Sequence, residues 1–143
     1  MEWIARGLIA LAGLGAVVSG AATVAQEKSQ RDGIYRADQA KRGETLYESY
    51  CANCHGTDLS GGDLAPGLLG TDFDEKWNGQ PLGQLFERIK TTMPQDNPDS
   101  LSRSQNADIL AFILQKSGAP AGASDLPVQA ETLNTIRFSV SKP

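Results

Sequence analysis

The segment CANCH most constrains this chain, because it gathers every copy of two residue types into one short turn. The chain has 143 residues but only two cysteines and one histidine, and these are Cys51, Cys54 and His55. The order C-x-x-C-H is the attachment pattern of c-type haem. Two thiols three residues apart can form thioether bonds to one haem, and the next histidine can then bind its iron. The segment therefore predicts one covalent haem c with His55 as the proximal ligand.

Two other chemistries use the same residue types. A C-x-x-C pair can be a thiol–disulfide redox centre, but such a pair is expected near a βαβ pattern, and no strand pattern is visible here. Two cysteines and a histidine can also bind zinc, although a closed site needs a fourth ligand, and no second CxxC or HxxxH supplies one. Both remain alternatives to haem attachment.

The first residues predict export. Arg6 precedes an uncharged run from Gly7 to Ala25 that is rich in small and apolar residues. This pattern is typical of a signal peptide over residues 1–25, with cleavage after Ala22 or Ala25. The alternative is an uncleaved anchor, because the run approaches the ~20 residues that span a bilayer. We therefore expect a bacterial periplasmic protein, which contacts the membrane only if the leader is retained.

The remainder predicts one compact domain with polar flanks. Residues 26–36 are polar and charged and predict a flexible linker, residues 37–120 the domain, and residues 121–143 a tail packed on it. The net charge of −4 and the pI of about 4.9 argue against a nucleic-acid partner. An acidic cluster, which indicates either a docking patch or a solvated loop face, comprises Asp58, Asp63, Asp72, Asp74 and Glu75.

Apolar residues at helical spacing predict an all-α domain. The first helix is expected over Ala37–Tyr50, and the next runs from Pro81 to Met93. The clearest helix begins at the capping box formed by Ser102 and Gln105 and stops at Gly118. A short helix is predicted around residues 131–136. The segment from Gly56 to Gly70 is rich in glycine and therefore predicts a loop.

The sixth iron ligand decides what the haem can do. With no second histidine in the chain, the candidates are a methionine, a lysine or an open position. Met1 leaves with the leader, so Met93 is the methionine of the mature domain. Pro94 restricts Met93 to an extended conformation just past a helix end. We predict that Met93 binds the iron, and the alternative is that it fills a gap in the core.

The segments GETLYESYCANCHG, TTMP and ADILAFIL resemble class I c-type cytochromes over residues 37–118. The resemblance implies an all-α class I cytochrome c fold, with N- and C-terminal helices packed crosswise and a haem loop between them. It implies that Gly43 and Tyr47 of the first helix pack against Ile109 and Phe112 of the last.

The same resemblance implies two further cofactor contacts. The Pro66 carbonyl is expected to accept a hydrogen bond from the second ring nitrogen of the proximal histidine. The Trp77 indole is expected to donate to a haem propionate. For each residue an ordinary structural role is the alternative: a turn proline and a core tryptophan.

The segments CANCHGTDLSGG, WNGQPL, TTMP and SGAPAGASDLP are similar to haem modules of periplasmic quinoprotein (PQQ) dehydrogenases. An iron bound by both His55 and Met93 is left with one-electron transfer, so we expect an electron carrier and not an enzyme. The similarity implies a periplasmic dehydrogenase of the PQQ-dependent class as the electron donor. The expected acceptor is a respiratory oxidase or another cytochrome. One alternative is a haem subunit of an oxidoreductase complex. Another is a haem enzyme or gas sensor with an open iron position, which would have no need of Met93.

Overall fold

In the computed structural model, which describes residues 27–140, helices dominate. The described residues form α1 (Ala37–Tyr50), α2 (Ala52–His55), α3 (Thr71–Trp77), α4 (Leu82–Thr92), α5 (Arg103–Lys116) and α6 (Ala130–Leu133). A 3₁₀ turn spans Gln30–Asp32. Two short parallel strands, β1 (Lys28–Ser29) and β2 (Ile136–Arg137), pair Lys28 with Ile136. The all-α prediction is confirmed.

The crossing of α1 and α5 forms the centre of the core. A Cβ on Gly43 would lie 1.8 Å from the Asp108 carbonyl oxygen, so the two backbones touch where α1 lacks a side chain. One turn further, the rings of Tyr47 and Phe112 lie 5.3 Å apart at an interplanar angle of 47°. Ile109 is buried beside them. The helix contact expected from the resemblance is therefore present.

The long helices lie where the sequence predicts them. Ser102 and Gln105 form the reciprocal capping box at the start of α5. The predicted short helix is displaced, since α6 covers Ala130–Leu133. Helix α3 was not predicted. It has only seven residues, and its two buried residues, Phe73 and Trp77, lie among charged ones, so no helical periodicity is visible in the sequence.

Residues 27–36 differ from the flexible linker that their composition predicts. Ile34 and Tyr35 are buried, and the Tyr35 hydroxyl donates to the Ala119 carbonyl at 2.5 Å. Gln30 is also buried, and its side-chain amide exchanges two hydrogen bonds with the Ser139 backbone at 2.6 and 2.8 Å. Polar residues are ordered here because their partners lie at the other end of the chain.

The C-terminal segment lies on the domain. Leu126, Leu133 and Phe138 are buried. Helix α6 approaches α4 at Gly83, where a Cβ would lie 2.7 Å from the Ala130 carbonyl oxygen. Among residues 27–140, no helix has both the length and the apolar character to span a membrane. The predicted signal peptide lies outside the described residues.

Candidate haem-binding site

The CANCH segment directly follows α1, and its last four residues form α2. Cys51 ends α1, its amide donating to the Tyr47 carbonyl at 2.8 Å, and it also precedes the single turn of α2. The His55 amide then donates to the Cys51 carbonyl at 3.0 Å. This turn presents the two thiols and the imidazole from one short stretch of backbone.

The two cysteines are free thiols with different exposure. Cys51 is half-buried and Cys54 is exposed. Burial, with a smaller contribution from the neighbouring Cys54, raises the pKa of the Cys51 thiol to about 11. Redox-active C-x-x-C pairs depend on a lowered thiol pKa, so this environment does not fit a dithiol redox centre.

The zinc alternative gains no support from the geometry. In the described part of the chain, no three His, Cys, Asp or Glu side chains converge as ligands for a metal ion. A structural zinc site needs four such donors around one point.

His55 has the hydrogen bonding of an oriented metal ligand. The imidazole is buried, and its Nδ1 lies 2.8 Å from the Pro66 carbonyl oxygen. A carbonyl can only accept, so this contact places the proton on Nδ1 and leaves a lone pair on Nε2. Nε2 has no hydrogen-bond partner among residues 27–140. A histidine ligand is commonly fixed in this way by an acceptor at its second nitrogen.

The loop after the motif brings Pro66 to His55. Gly61 pairs with Pro66 in an antiparallel bridge, and the Gly61 amide donates to the His55 carbonyl at 2.8 Å. Gly61 has φ +82°, and a Cβ there would lie 2.3 Å from the Gly67 amide nitrogen. Both constraints demand glycine. The glycine-rich segment therefore forms a tight hairpin that places the Pro66 carbonyl beside His55.

A second support was not predicted. The buried Tyr47 hydroxyl donates to the Gly56 carbonyl at 2.7 Å, which ties α1 to the residue after His55. The position of Tyr47, one turn before Cys51, was the available sequence signal. The residue was assigned only a packing role, so the hydrogen bond from its hydroxyl was not predicted. Burial raises the pKa of Tyr47 well above its usual value.

Trp77 ends α3, where its indole is buried against Phe73 at a ring separation of 6.3 Å. The Lys76 ammonium lies 5.7 Å from the centre of the indole ring. No residue of the described chain accepts a hydrogen bond from the indole N–H. In residues 27–140 the buried side-chain polar atom that lacks a partner is Asn106 Oδ1, so the indole N–H is not enclosed in the core. The core packing is thus observed, and the donor remains available for a bound group.

Met93 lies at the C-terminus of α4 in the extended conformation that Pro94 predicts, with φ −121° and ψ 150°. Its amide donates to the Ile89 carbonyl at 3.0 Å, which fixes its backbone to the last turn. The residue is half-buried. It therefore stands on an end-of-helix position and not within an apolar helical face.

These residues fit a haem. The His55 Nε2 and the Trp77 indole N–H have no protein hydrogen-bond partner in residues 27–140, and both thiols are free. Besides Val128, several apolar residues that are only partly buried pack against the core. They are Leu46, Cys51, Ala52, Leu68, Leu69 and Ile89.

The acidic cluster is divided between the haem loop and α3. Asp58 accepts hydrogen bonds from the Ser60 hydroxyl and amide at 2.7 and 3.1 Å, and these bonds hold its pKa below the usual range. Asp72 and Asp74 occupy the first turn of α3, where negative charge favours the helix. At least part of the cluster therefore has a local structural role.

Comparisons with known proteins agree with this geometry. The cytochrome bc1 complex cytochrome c subunit of Corynebacterium diphtheriae is 33% identical over 91 residues, which is 64% of this chain and 32% of that subunit. The chain thus matches about one third of that relative's length. A chain in the crystal structure of the sulfane dehydrogenase SoxCD from Paracoccus pantotrophus superposes with a TM-score of 0.52. That match covers 78% of this chain and 60% of the other at 21% identity, and it shows a shared fold.

Residues 38–113, more than half of the 143, match the family described as "Cytochrome C oxidase, cbb3-type, subunit III". The family implies covalently bound haem c and haem-based electron transfer. The free thiols of the CANCH segment and the oriented His55 are what such a cofactor requires. The chain belongs to this cytochrome c family and is a haem c electron-transfer protein.

Proposed function

We propose that this protein is a periplasmic one-electron carrier whose haem iron is bound by His55 on one side and Met93 on the other. The observation that carries the proposal is the contact between His55 Nδ1 and the Pro66 carbonyl, 2.8 Å apart. It selects the tautomer that can bind iron, and it keeps the ring from turning. Cys51 and Cys54 supply the two thioether links.

Met93 is the proposed sixth ligand. When bound, the haem supplies an iron that alternates between the ferrous and ferric states and so carries one electron. A methionine ligand raises the reduction potential of such an iron. Because the Met93 sulfur would be the sixth ligand, it would also keep external ligands away. This combination favours electron transfer over oxygen or peroxide chemistry.

Trp77 is proposed to orient the cofactor edge. Its indole is fixed by Phe73 and by the end of α3, and its N–H is available as a donor. A haem propionate is an acceptor of the right chemistry. Such a bond would hold the propionate without adding a charge.

The test of the ligand assignment is a near-infrared charge-transfer band between methionine sulfur and ferric iron. The parent protein should show this band, and Met93→Leu, which preserves volume but removes sulfur, should lose it and bind carbon monoxide rapidly in the ferrous state. Ile89→Ala, which removes a half-buried apolar side chain near the same helix end, should keep the band. A parent without the band that binds carbon monoxide rapidly would favour an open-site enzyme or sensor.

The donor is proposed to be a periplasmic dehydrogenase, including the PQQ-dependent class, and the acceptor a respiratory oxidase or another cytochrome. The name of the Corynebacterium relative favours a second candidate, a haem subunit that stays in a respiratory complex. Size-exclusion chromatography of solubilised native membranes and of the periplasmic fraction separates the two. A free carrier elutes alone at the mass of the domain, whereas a subunit co-elutes with its complex.

Export is the remaining part of the proposal. The mass of the mature protein from whole cells should correspond to a chain starting after Ala22 or Ala25. A mature chain that retains residues 1–25 and sediments with membranes would show that the leader serves as an anchor.

A further inference from the structure

The loop between α4 and α5, residues 93–102, carries Met93 and has few attachments. Residues 95–100 are exposed. Its internal backbone hydrogen bonds join the Asn97 amide to the Pro94 carbonyl at 3.0 Å and the Ser100 amide to the Asn97 carbonyl at 3.4 Å. Within the described chain, one side chain from outside the loop hydrogen-bonds to residues 94–100, and it belongs to Lys90.

Lys90 reaches from the last turn of α4 to the far side of this loop. Its Nζ donates to the Asp99 main-chain carbonyl at 3.2 Å and also pairs with the Asp99 carboxylate. The Lys90 side chain is only 13% exposed. Lys90 thus connects the helix end at Met93 to the end of the loop.

Asp99 shows that the loop is held in an uncommon shape. Its φ is +63°, in the left-handed region that most residues other than glycine avoid. Aspartate adopts this region more readily than most other residues, because its short side chain can hydrogen-bond locally. The double contact with Lys90 at the same residue is the restraint that the structure provides.

The loop has a second anchor at its C-terminal end. The buried Asn106 side chain donates from Nδ2 to the Leu101 and Ser102 carbonyls at 3.2 and 2.9 Å. Leu101 itself is buried. The segment between Met93 and Leu101 is therefore fixed at both ends, and the Lys90 contact at Asp99 joins the end of α4 directly to the far end of the loop.

We propose that Lys90 is a positioning residue that closes the Met93 loop through Asp99 and so keeps Met93 at the iron. The proposal rests on Met93 being the sixth ligand. Without the Lys90 contacts, the exposed residues of the loop regain conformational freedom, and each opening of the loop withdraws the methionine. An external ligand can bind during such an opening.

The test measures how fast imidazole replaces the sixth ligand in the ferric holoprotein. Lys90→Met removes both contacts and keeps an extended apolar stem, and Asp99→Gly removes the carboxylate while accommodating the positive φ. Each change should raise the imidazole-binding rate about tenfold or more, since a charge-assisted hydrogen bond is worth enough free energy for that factor. The double variant should be little faster than Lys90→Met alone, because Lys90→Met already removes the contact with the Asp99 carboxylate.

Two controls separate positioning from general loss of stability. Lys41→Met breaks the exposed pair with Glu44 on α1 and should leave the rate unchanged. Arg42→Met breaks the paired bonds to Asp108, so it should lower the free energy of unfolding without accelerating imidazole. Among these four variants, only Lys90→Met and Asp99→Gly should show a weaker near-infrared band.

The outcomes distinguish this proposal from the ligand assignment. A parent with the methionine band whose Lys90→Met and Asp99→Gly variants bind imidazole at the parental rate overturns the positioning role and leaves Met93 as ligand. A parent without the band overturns both. If Lys90→Met fails to fold, the Asp99→Gly rate decides.

Discussion

The backbone of Gly43 in α1 touches the Asp108 carbonyl of α5, so closely that a Cβ on Gly43 would lie 1.8 Å from the carbonyl oxygen. The Asp108 side chain on the same turn accepts two bonds from Arg42, at 3.1 and 3.2 Å. The helix crossing is therefore fixed by a missing side chain on one residue and by an ion pair from its neighbour.

Gly43→Ala should destabilise the protein. In an ordinary helix interior this change is favourable by about 1 kcal/mol, but here the new methyl group must separate two backbones. We expect a net loss of about 2 kcal/mol in the free energy of unfolding, as for an overpacked core. Denaturant titration measures the change. Gly62→Ala is the control, because a Cβ at Gly62 meets nothing within 4 Å, and a similar loss in both would refute the argument.

Phe112→Ala should cost roughly 3–5 kcal/mol, the range for deleting a buried aromatic side chain. The ring packs on Tyr47 and is 3% exposed. Leu64→Ala is the matched control, because Leu64 is 71% exposed. A loss below about 1 kcal/mol for Phe112→Ala would contradict its place in the core.

Covalent attachment of haem to Cys51 and Cys54 predicts the mass of the intact protein after extraction. The intact protein should retain the mass of one haem after acid–acetone extraction, because thioether bonds survive that treatment. Cys54→Ala should keep at most the single link through Cys51, and the double variant with Cys51→Ala should release the haem entirely. Release of haem from the parent would refute attachment through the CANCH segment.

Alkaline pH should weaken the fold. Burial raises the pKa of Tyr35 and Tyr47 above their usual 10.0, so the folded state holds both protons more tightly than the unfolded state. This contribution is complete below pH 10 and is lost as the pH rises further. We expect the unfolding free energy to fall as the pH rises above about 10 toward the raised pKa of each tyrosine. The decline should be shallower in Tyr47→Phe and unchanged in Tyr50→Phe, whose ring is half exposed.

The acidic cluster predicts a salt-dependent encounter with the donor. Reversing Asp72, Asp74 and Glu75 should slow reduction at low salt and matter little at high salt, where the Debye length falls below about 10 Å. The haem spectrum should not change. Because Asp72 and Asp74 also stabilise the start of α3, the cleaner comparison is Glu75→Lys against Glu131→Lys, both on exposed positions. If the donor reduces the Glu75→Lys and Glu131→Lys variants at equal rates, the acidic cluster is a solvated surface and not a docking patch.

The sequence predicted those parts of the structure whose signals are local. The capping box at Ser102, the apolar face of α5 and the end of α4 at Met93 each depend on residues within one or two turns. The contact of His55 with Pro66 was also predicted, although only through the family resemblance.

What the sequence did not predict depends on partners distant along the chain. The order of residues 27–36 depends on bonds such as the one from Gln30 to Ser139, over a hundred positions away, so a polar composition indicated a linker. Helix α3 is too short to show a periodicity, and its stability comes from Phe73 packing on Phe138 at 5.8 Å. Lys90 and Asp99 are only nine positions apart, but their contact depends on the path of the loop between α4 and α5, which no local sequence pattern indicates.

The parallel pairing of β1 with β2 has a mechanical consequence. Parallel strands place the incoming end of β1 and the outgoing end of β2 at opposite ends of the pair, so tension between the two termini loads its hydrogen bonds in shear. Arg31 adds bonds to the Ser139 and Val140 carbonyls at 2.9 Å each. A pull on the two ends of the described chain, residues 27 and 140, is therefore resisted first by this strand pair, and the haem site lies between the two strands in the sequence.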